Sequence, residues 1–155
     1  MNFMEKKRIL FVCHGNICRS PMAEFVLKDM AKKGGLRNLE IDSRATSSEE
    51  LGNPPHSGTV RVLKKYGIPI GEHRATRLCQ SDYDDWDFII GMDSANIRNI
   101  LRIFSLTTSP KVRRLLDFTD FPRDIADPWY TGDFEQTYAD VTEGCSALTK
   151  ILSQS

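Results

Sequence analysis

The sequence predicts a three-layer α/β fold: a doubly wound parallel sheet with helices on both faces. Short, wholly apolar runs alternate along the chain with segments whose apolar residues recur at helical spacing. The runs Ile9 to Val12 and Phe88 to Met92 have the unbroken apolar character of strands covered on both sides. Strands alternating with helices imply right-handed crossovers and a parallel sheet, and in such sheets ligands bind beyond the carboxyl ends of the strands.

The elements follow in order. Ile9 to Val12 is too short for a helix and leads into a glycine-containing loop, so it reads as the first strand. Ser20-Pro21 then supplies a helix cap followed by proline, and Met22, Phe25, Val26 and Met30 line one helical face as far as Gly34-Gly35. Leu39 to Ser43 reads as the second strand. The Gly52-Asn53-Pro54-Pro55 break leads to a Ser57 cap and a helix with Val60, Leu63 and Tyr66 inward, ending at Gly67. Phe88 to Met92 is the third strand, followed by a Ser94 cap and a helix carrying Ile97, Ile100, Leu101 and Phe104. Val112 to Leu116 is a weaker fourth strand. Between Asp133 and Ser153, Phe134, Tyr138, Val141, Cys145, Leu148 and Leu152 form the apolar stripe of a last helix with acids in its first turns.

The chain has 155 residues, 40% of them hydrophobic and 27% charged, which suits a single globular domain, 1–155, with no internal repeat or linker. Lys and Arg number 21 against 21 Asp and Glu, a balance that excludes a polycation built to grip a nucleic-acid backbone. Charge is nevertheless uneven: residues 1–37 hold 8 basic and 3 acidic side chains, and residues 116–155 hold 2 and 8, so the two ends should complement each other or flank a site. No apolar run approaches the ~20 residues of a membrane span, and Arg8 to Cys13 is too short for a secretory core. The expectation is a cytoplasmic protein with neither membrane nor nucleic acid as partner. The four cysteines, Cys13, Cys18, Cys79 and Cys145, show no metal-binding or disulfide spacing. Cys79 and Cys145 read as small buried core residues, His56 as a loop residue, and Lys6-Lys7-Arg8 as a solvated lead into the first strand.

Between the first strand and its helix stands Cys13-His14-Gly15-Asn16-Ile17-Cys18-Arg19-Ser20. A loop so placed can wrap successive backbone N–H groups around a tetrahedral anion such as phosphate, with the helix N-terminus adding positive charge. Arg19, six positions after Cys13, can bring its planar fork to two phosphate oxygens while the sulfur lies beneath the phosphorus. The helix N-terminus and the guanidinium favour a thiolate at Cys13, and the Ser20 hydroxyl can donate to it. The loop lacks the lysine ending of a nucleotide-binding loop. Far downstream, Asp127-Pro128-Trp129-Tyr130 offers a carboxylic acid able to protonate a leaving alkoxide or phenoxide and then deprotonate water, with two aromatics to flank an aryl group.

VCHGNICRSPMAE, residues 12–24, together with DPWY, residues 127–130, resembles the low-molecular-weight protein tyrosine phosphatases. The similarity runs from about Arg8 to Leu152. It includes Asp42-Ser43, Ala45-Thr46-Ser47, Gly52-Asn53-Pro54-Pro55, Tyr66-Gly67-Ile68-Pro69, His73-Arg74-Ala75 and Met92-Asp93. The resemblance implies four parallel strands in the order 2-1-3-4. It also implies hydrolysis of phosphotyrosine in proteins, and of small aryl phosphates, through a phosphocysteine and without metal or other cofactor. Carried onto this chain, it makes Cys13 the nucleophile, Arg19 the phosphate clamp and Asp127 the general acid and base. His14, Gly15, Asn16, Ile17, Cys18, Arg19 and Ser20 become the phosphate-binding loop, with phosphate or vanadate as its ligands. Asn16 would hold the loop through Ser43 and His73, Ser20 would stabilise the leaving thiolate, and Asp93 would orient the arginine. Cys18 would trap oxidised Cys13 as a disulfide. The implied protein is mostly monomeric, with weak self-association.

Three positions depart from the family pattern. Ser47-Ser48-Glu49-Glu50 stands where an aromatic cleft wall is common, so Glu49 and Glu50 should disfavour acidic phosphopeptides. His14 replaces an apolar residue, and Trp129 replaces the first of two frequent tyrosines, leaving Tyr130 as the other cleft aromatic. Rival readings are a thiol-coupled arsenate reductase of the same fold, which needs further cysteines in a relay, and a catalytically silent phosphotyrosine-binding module. A flavin-binding domain of similar topology has no need of an arginine following a cysteine.

Overall fold

The computed structural model describes residues 5–154. Strands β1 (Lys7–Cys13), β2 (Leu39–Ala45), β3 (Phe88–Gly91) and β4 (Val112–Arg114) form one parallel sheet in the order β2-β1-β3-β4. The helices are α1 (Arg19–Lys33), α2 (Ser57–Lys65), the single turn α3 (Asp82–Asp85), α4 (Ser94–Ile103), the short α5 (Pro128–Thr131) and α6 (Phe134–Ser153), with a 3-10 turn over Leu115–Phe118. The predicted class and strand order are those observed.

Alternation along β1 divides the core into two layers, because successive side chains of a strand point to opposite faces. Ile9 and Phe11 pack with Met22, Phe25 and Val26 of α1, Val62 and Leu63 of α2, and Val141, Cys145 and Leu148 of α6. Leu10 and Val12 pack on the other face with Leu78, Trp86, Ile100 and Phe104. These four side chains, Ile9 to Val12, are fully buried, each worth roughly 1.5–3 kcal/mol of transfer free energy. That two-sided burial is why β1 carries no polar side chain between Ile9 and Val12 and why its end is a firm base for a loop. The basic α1 packs directly on the acidic α6, so the uneven ends of the chain lie side by side.

Several element boundaries differ from expectation. Ser20, Ser57 and Ser94 do not cap their helices, because each helix begins earlier. Cys18 precedes α1 with no side-chain cap, His56 caps α2 by accepting from Gly58 N at Nδ1, and Asp93 caps α4 in a capping box with Asn96. An ionised acceptor makes the stronger cap, which favours Asp93 over the neighbouring serine. Tyr66 is exposed rather than inward: it stacks on Tyr138 at 4.2 Å and donates its hydroxyl to Glu135 Oε2 at 2.8 Å, while Val62 and Leu63 take the buried face. β4 stops at Arg114 because Leu115 and Leu116 turn into the core. Cys145 is buried as expected, but Cys79 is exposed, beside Ser81 and Asp82. Among the described residues, no helix is long and apolar enough to cross a membrane.

Candidate active site

Cys13 is the last residue of β1, and Arg19 is the first residue of α1. The intervening loop is fixed by its carbonyls. Cys13 O accepts from Thr46 N at 3.0 Å, and His14 O accepts from both the backbone N and the hydroxyl of Ser47 at 3.0 Å. Asn16 O accepts from His73 Nε2 at 2.7 Å, Ile17 O from His56 N at 2.8 Å, and Cys18 O from the Thr59 hydroxyl at 3.1 Å. In a planar trans peptide the N–H of the next residue points away from the carbonyl. Anchoring these five carbonyls therefore turns the N–H groups of His14, Gly15, Ile17, Cys18 and Arg19 toward the opposite, concave side. The result is a nest of backbone N–H groups at the start of a helix, an arrangement suited to an anion.

Asn16 occupies the left-handed backbone region, at φ 59°, and is wholly buried. Its amide donates to Ser20 Oγ at 2.8 Å and Ser43 Oγ at 2.9 Å, and its Oδ1 accepts from Thr76 N at 3.0 Å. The two hydroxyls, having accepted, are free to donate onward: Ser43 to Glu24 Oε1 at 2.6 Å, and Ser20 to Cys13 Sγ at 3.0 Å. Ser20 N also donates to the same sulfur at 3.4 Å. Gly15 permits close approach to the cleft wall, since a Cβ there would lie 3.3 Å from Glu50 Cγ.

Arg19 is 2% exposed. Its Nη1 donates to Asp93 Oδ2 at 2.7 Å and to Ile125 O at 2.8 Å, and its Nη2 lies 3.3 Å from Asp127 Oδ2. Buried Nε has no hydrogen-bond partner among the described residues. An unsatisfied buried donor costs about 1–3 kcal/mol, and a group that bears this cost in a cleft is suited to a ligand. Burial works against the guanidinium charge, but the negative charges of Cys13, Asp127 and Asp93 outweigh it and raise the arginine's pKa. Burial foremost, then the charge on Cys13, pushes the Cys18 thiol up to about 12, so Cys18 is a neutral thiol at ordinary pH. Asp127 caps α5 with one oxygen, Oδ1, which accepts from Trp129 N at 3.0 Å; the other oxygen faces Arg19.

Cys13, Arg19 and Asp127 all line one cavity, which is open to solvent. Glu49, Glu50, Trp129 and Tyr130 complete its wall, and His14 bonds to Glu49 Oε2 through Nε2 at 3.0 Å. The profile of the family described as low molecular weight phosphotyrosine protein phosphatase matches residues 8–155. The chain is 40% identical over 143 residues to the low molecular weight protein-tyrosine-phosphatase YfkJ of Bacillus subtilis, covering 90% of this chain and 92% of that protein. This chain belongs to the low molecular weight phosphotyrosine protein phosphatase family. The crystal structure of YfkJ superposes with a TM-score of 0.93 over 97% of this chain and 96% of that one, at 37% identity. A Drosophila protein described as an arginine phosphatase superposes at 0.83, with 31% identity and 92% and 95% coverage.

The phosphatase thus brings together the residues expected at the site, while Cys79 and Cys145 lie elsewhere. Ser43 and His73 meet Asn16, although His73 does so through the backbone carbonyl rather than the side chain. Asp93 meets Arg19 directly. Sequence reasoning missed Glu24, buried behind Ser43 and paired with Lys28 at 2.7 Å, and it missed Thr46, Ser47, His56, Thr59 and Thr76 as loop anchors. It also missed Ile125, whose carbonyl fixes Arg19. Only Glu24 carried a signal, as an acid on the buried face of an otherwise apolar helix turn.

Proposed function

We propose that this phosphatase hydrolyses phosphotyrosine in proteins through a phosphocysteine intermediate, without a metal, as a single-domain cytoplasmic monomer. The Cys13 sulfur attacks phosphorus, and the bond from phosphorus to the phenolic oxygen breaks. Protonated Asp127 gives its proton to that oxygen, so tyrosine leaves neutral. Arg19 Nε and Nη2, with the inward N–H groups of the loop, take the three non-bridging oxygens and the charge they develop. Water then attacks the phosphocysteine, Asp127 accepts a proton from it, and the S–P bond breaks with its electron pair returning to sulfur. The Ser20 hydroxyl stabilises the departing thiolate, and inorganic phosphate is released. Cys18, five residues from the nucleophile in the same loop, protects an oxidised Cys13 by forming a disulfide with it.

One observation carries this reading: the buried Arg19 guanidinium with its unpartnered Nε, the hydroxyl-bonded Cys13 sulfur and the Asp127 carboxylate share one cavity. A binding module needs the loop but not the acid. A cysteine relay lacks support, because Cys145 is sealed in the core and neither it nor Cys79 lines the cavity. The test is turnover of p-nitrophenyl phosphate in chelator, with and without vanadate, beside Cys13→Ser. Turnover that resists chelator, is blocked by vanadate and is lost in the variant supports the reading, and turnover retained by Cys13→Ser refutes the nucleophile. Phosphotyrosine and phosphoarginine peptides assayed in parallel decide the substrate class, and faster release from phosphoarginine would overturn the tyrosine assignment.

A further inference from the structure

We propose that Asp124, clamped between Ser94 and Arg114, is a positioning residue that sets where Asp127 delivers its proton. This rests on the reading of Asp127 as the general acid. From Thr119 to Asp127 the chain has no regular secondary structure, so nothing periodic holds the acid in place. The segment is instead pinned at three consecutive residues, the first being Arg123, whose Nη2 reaches Asp140 Oδ1 at 3.1 Å and Glu143 Oε1 at 2.8 Å on α6. Ile125 is wholly buried, with its N–H on Met92 O at 2.9 Å and its carbonyl on Arg19. Asp124 Oδ1 accepts three hydrogen bonds, from Ser94 N at 2.9 Å, the Ser94 hydroxyl at 3.1 Å and Arg114 Nη1 at 2.9 Å.

Arg114 is itself immobilised. Its Nε and Nη2 reach Asp117 Oδ1 at 3.1 and 2.9 Å, and its backbone N reaches Asp117 Oδ2 at 2.9 Å, leaving Nη1 for Asp124. Ser94 is the residue after Asp93, the carboxylate that holds Arg19. One turn at the head of α4 therefore fixes the phosphate-binding arginine through Asp93 and the acid-bearing segment through Ser94. The distance between clamp and acid is set against a common reference. Asp124 does not line the cavity, so its influence passes through Asp127.

The clamp is half exposed, and exposed ion pairs contribute little to stability. Its effect should accordingly appear in placement rather than in melting temperature. The partners of Asp124 outweigh its partial burial and hold its carboxyl below the usual carboxylate range, so the clamp persists at neutral pH.

The experiment measures kcat/KM for phosphotyrosine, whose phenol leaves poorly, and for p-nitrophenyl phosphate, whose phenolate leaves without a proton. Asp124→Ala is made in the parent and in an Asp127→Asn background. A misplacement of part of an ångström should cost about 10-fold on phosphotyrosine, below the ~100-fold that 1 Å can cost. The loss on p-nitrophenyl phosphate should be about 2-fold or less, vanadate inhibition should be unchanged, and Asp127→Asn should abolish any further loss. Ser94→Ala combined with Arg114→Met removes two of the clamp's three hydrogen bonds from its other side and should reproduce the pattern in weaker form even if Asp124→Ala folds poorly. Equal losses on both substrates, or a phosphotyrosine loss undiminished in the Asp127→Asn background, would overturn the proposal. If Asp127→Asn itself fails to separate the two substrates, the acid assignment falls and the proposal with it. If Asp127→Asn separates them and neither clamp variant does, only the clamp falls.

Discussion

Replacing Asn16 separates backbone strain from side-chain bonding in the loop that carries the chemistry. Asn16→Ala deletes three buried hydrogen bonds, to Ser20, Ser43 and Thr76, each worth about 0.5–1.5 kcal/mol, a loss of roughly 1.5–4.5 kcal/mol. It also places alanine at φ 59°, where a Cβ without local hydrogen bonding costs about 1–2 kcal/mol. Asn16→Gly loses the same bonds but not that strain, so the two variants should differ by about 1 kcal/mol, less whatever glycine adds to the freedom of the unfolded chain. Urea unfolding measures both losses, and kcat/KM for p-nitrophenyl phosphate measures the displaced nest, for which ~100-fold is the expected scale. His73 still reaches the carbonyl of residue 16 in either variant, so the loop should loosen rather than unfold. Two variants of equal stability would refute the strain argument. Either variant with full activity and a loss under about 1 kcal/mol would refute the view that Asn16 holds the nest.

Neutralising the cleft wall with Glu49→Gln and Glu50→Gln should raise kcat/KM on acidic phosphopeptides. Each charge, some 8 Å from a peptide carboxylate in water, contributes about 0.5 kcal/mol, so the pair should yield roughly 5-fold at low salt and nothing at 1 M, where the screening length is about 3 Å. An effect unchanged by salt would point to shape rather than charge. Brief peroxide treatment should inactivate the parent reversibly with dithiol, and Cys18→Ser should recover less; identical recovery would leave Cys18 as packing alone. Alkaline stability gives an independent reading of Cys18. Below its ordinary value of 9.0 the thiol is neutral in both folded and unfolded chains. Above that value the unfolded chain ionises while the buried thiol resists until about 12, so stability should fall as pH rises through this window. Cys18→Ser should make that fall shallower in pH-dependent urea unfolding, and an unchanged slope would remove Cys18 as a contributor.

What was legible in the sequence, and what was not, divides by the kind of group involved. The run Ile9 to Val12 announced a strand covered on both faces because burial acts on side-chain type, whereas the sheet order was implied by the family resemblance. Cys13, Arg19 and Asp127 were legible because their chemistry is that of particular side chains. The anchoring of the loop was not, because Thr46 N, Ser47 N and His56 N act through backbone groups that every residue but proline possesses. The misplaced caps and the exposed Tyr66 have the same origin, since a serine near a helix start or an aromatic at helical spacing does not reveal which neighbour takes the place first. Asp124 and Arg114 meet across ten residues only because the chain folds back beside α4. The same division explains why His14 can stand where the family usually has an apolar residue. The loop uses the peptide groups of residue 14, anchored through its carbonyl to Ser47, while the imidazole is turned out to Glu49 in the cleft wall. A substitution there changes what the cleft presents to a substrate and leaves the anchored backbone of the loop as it was.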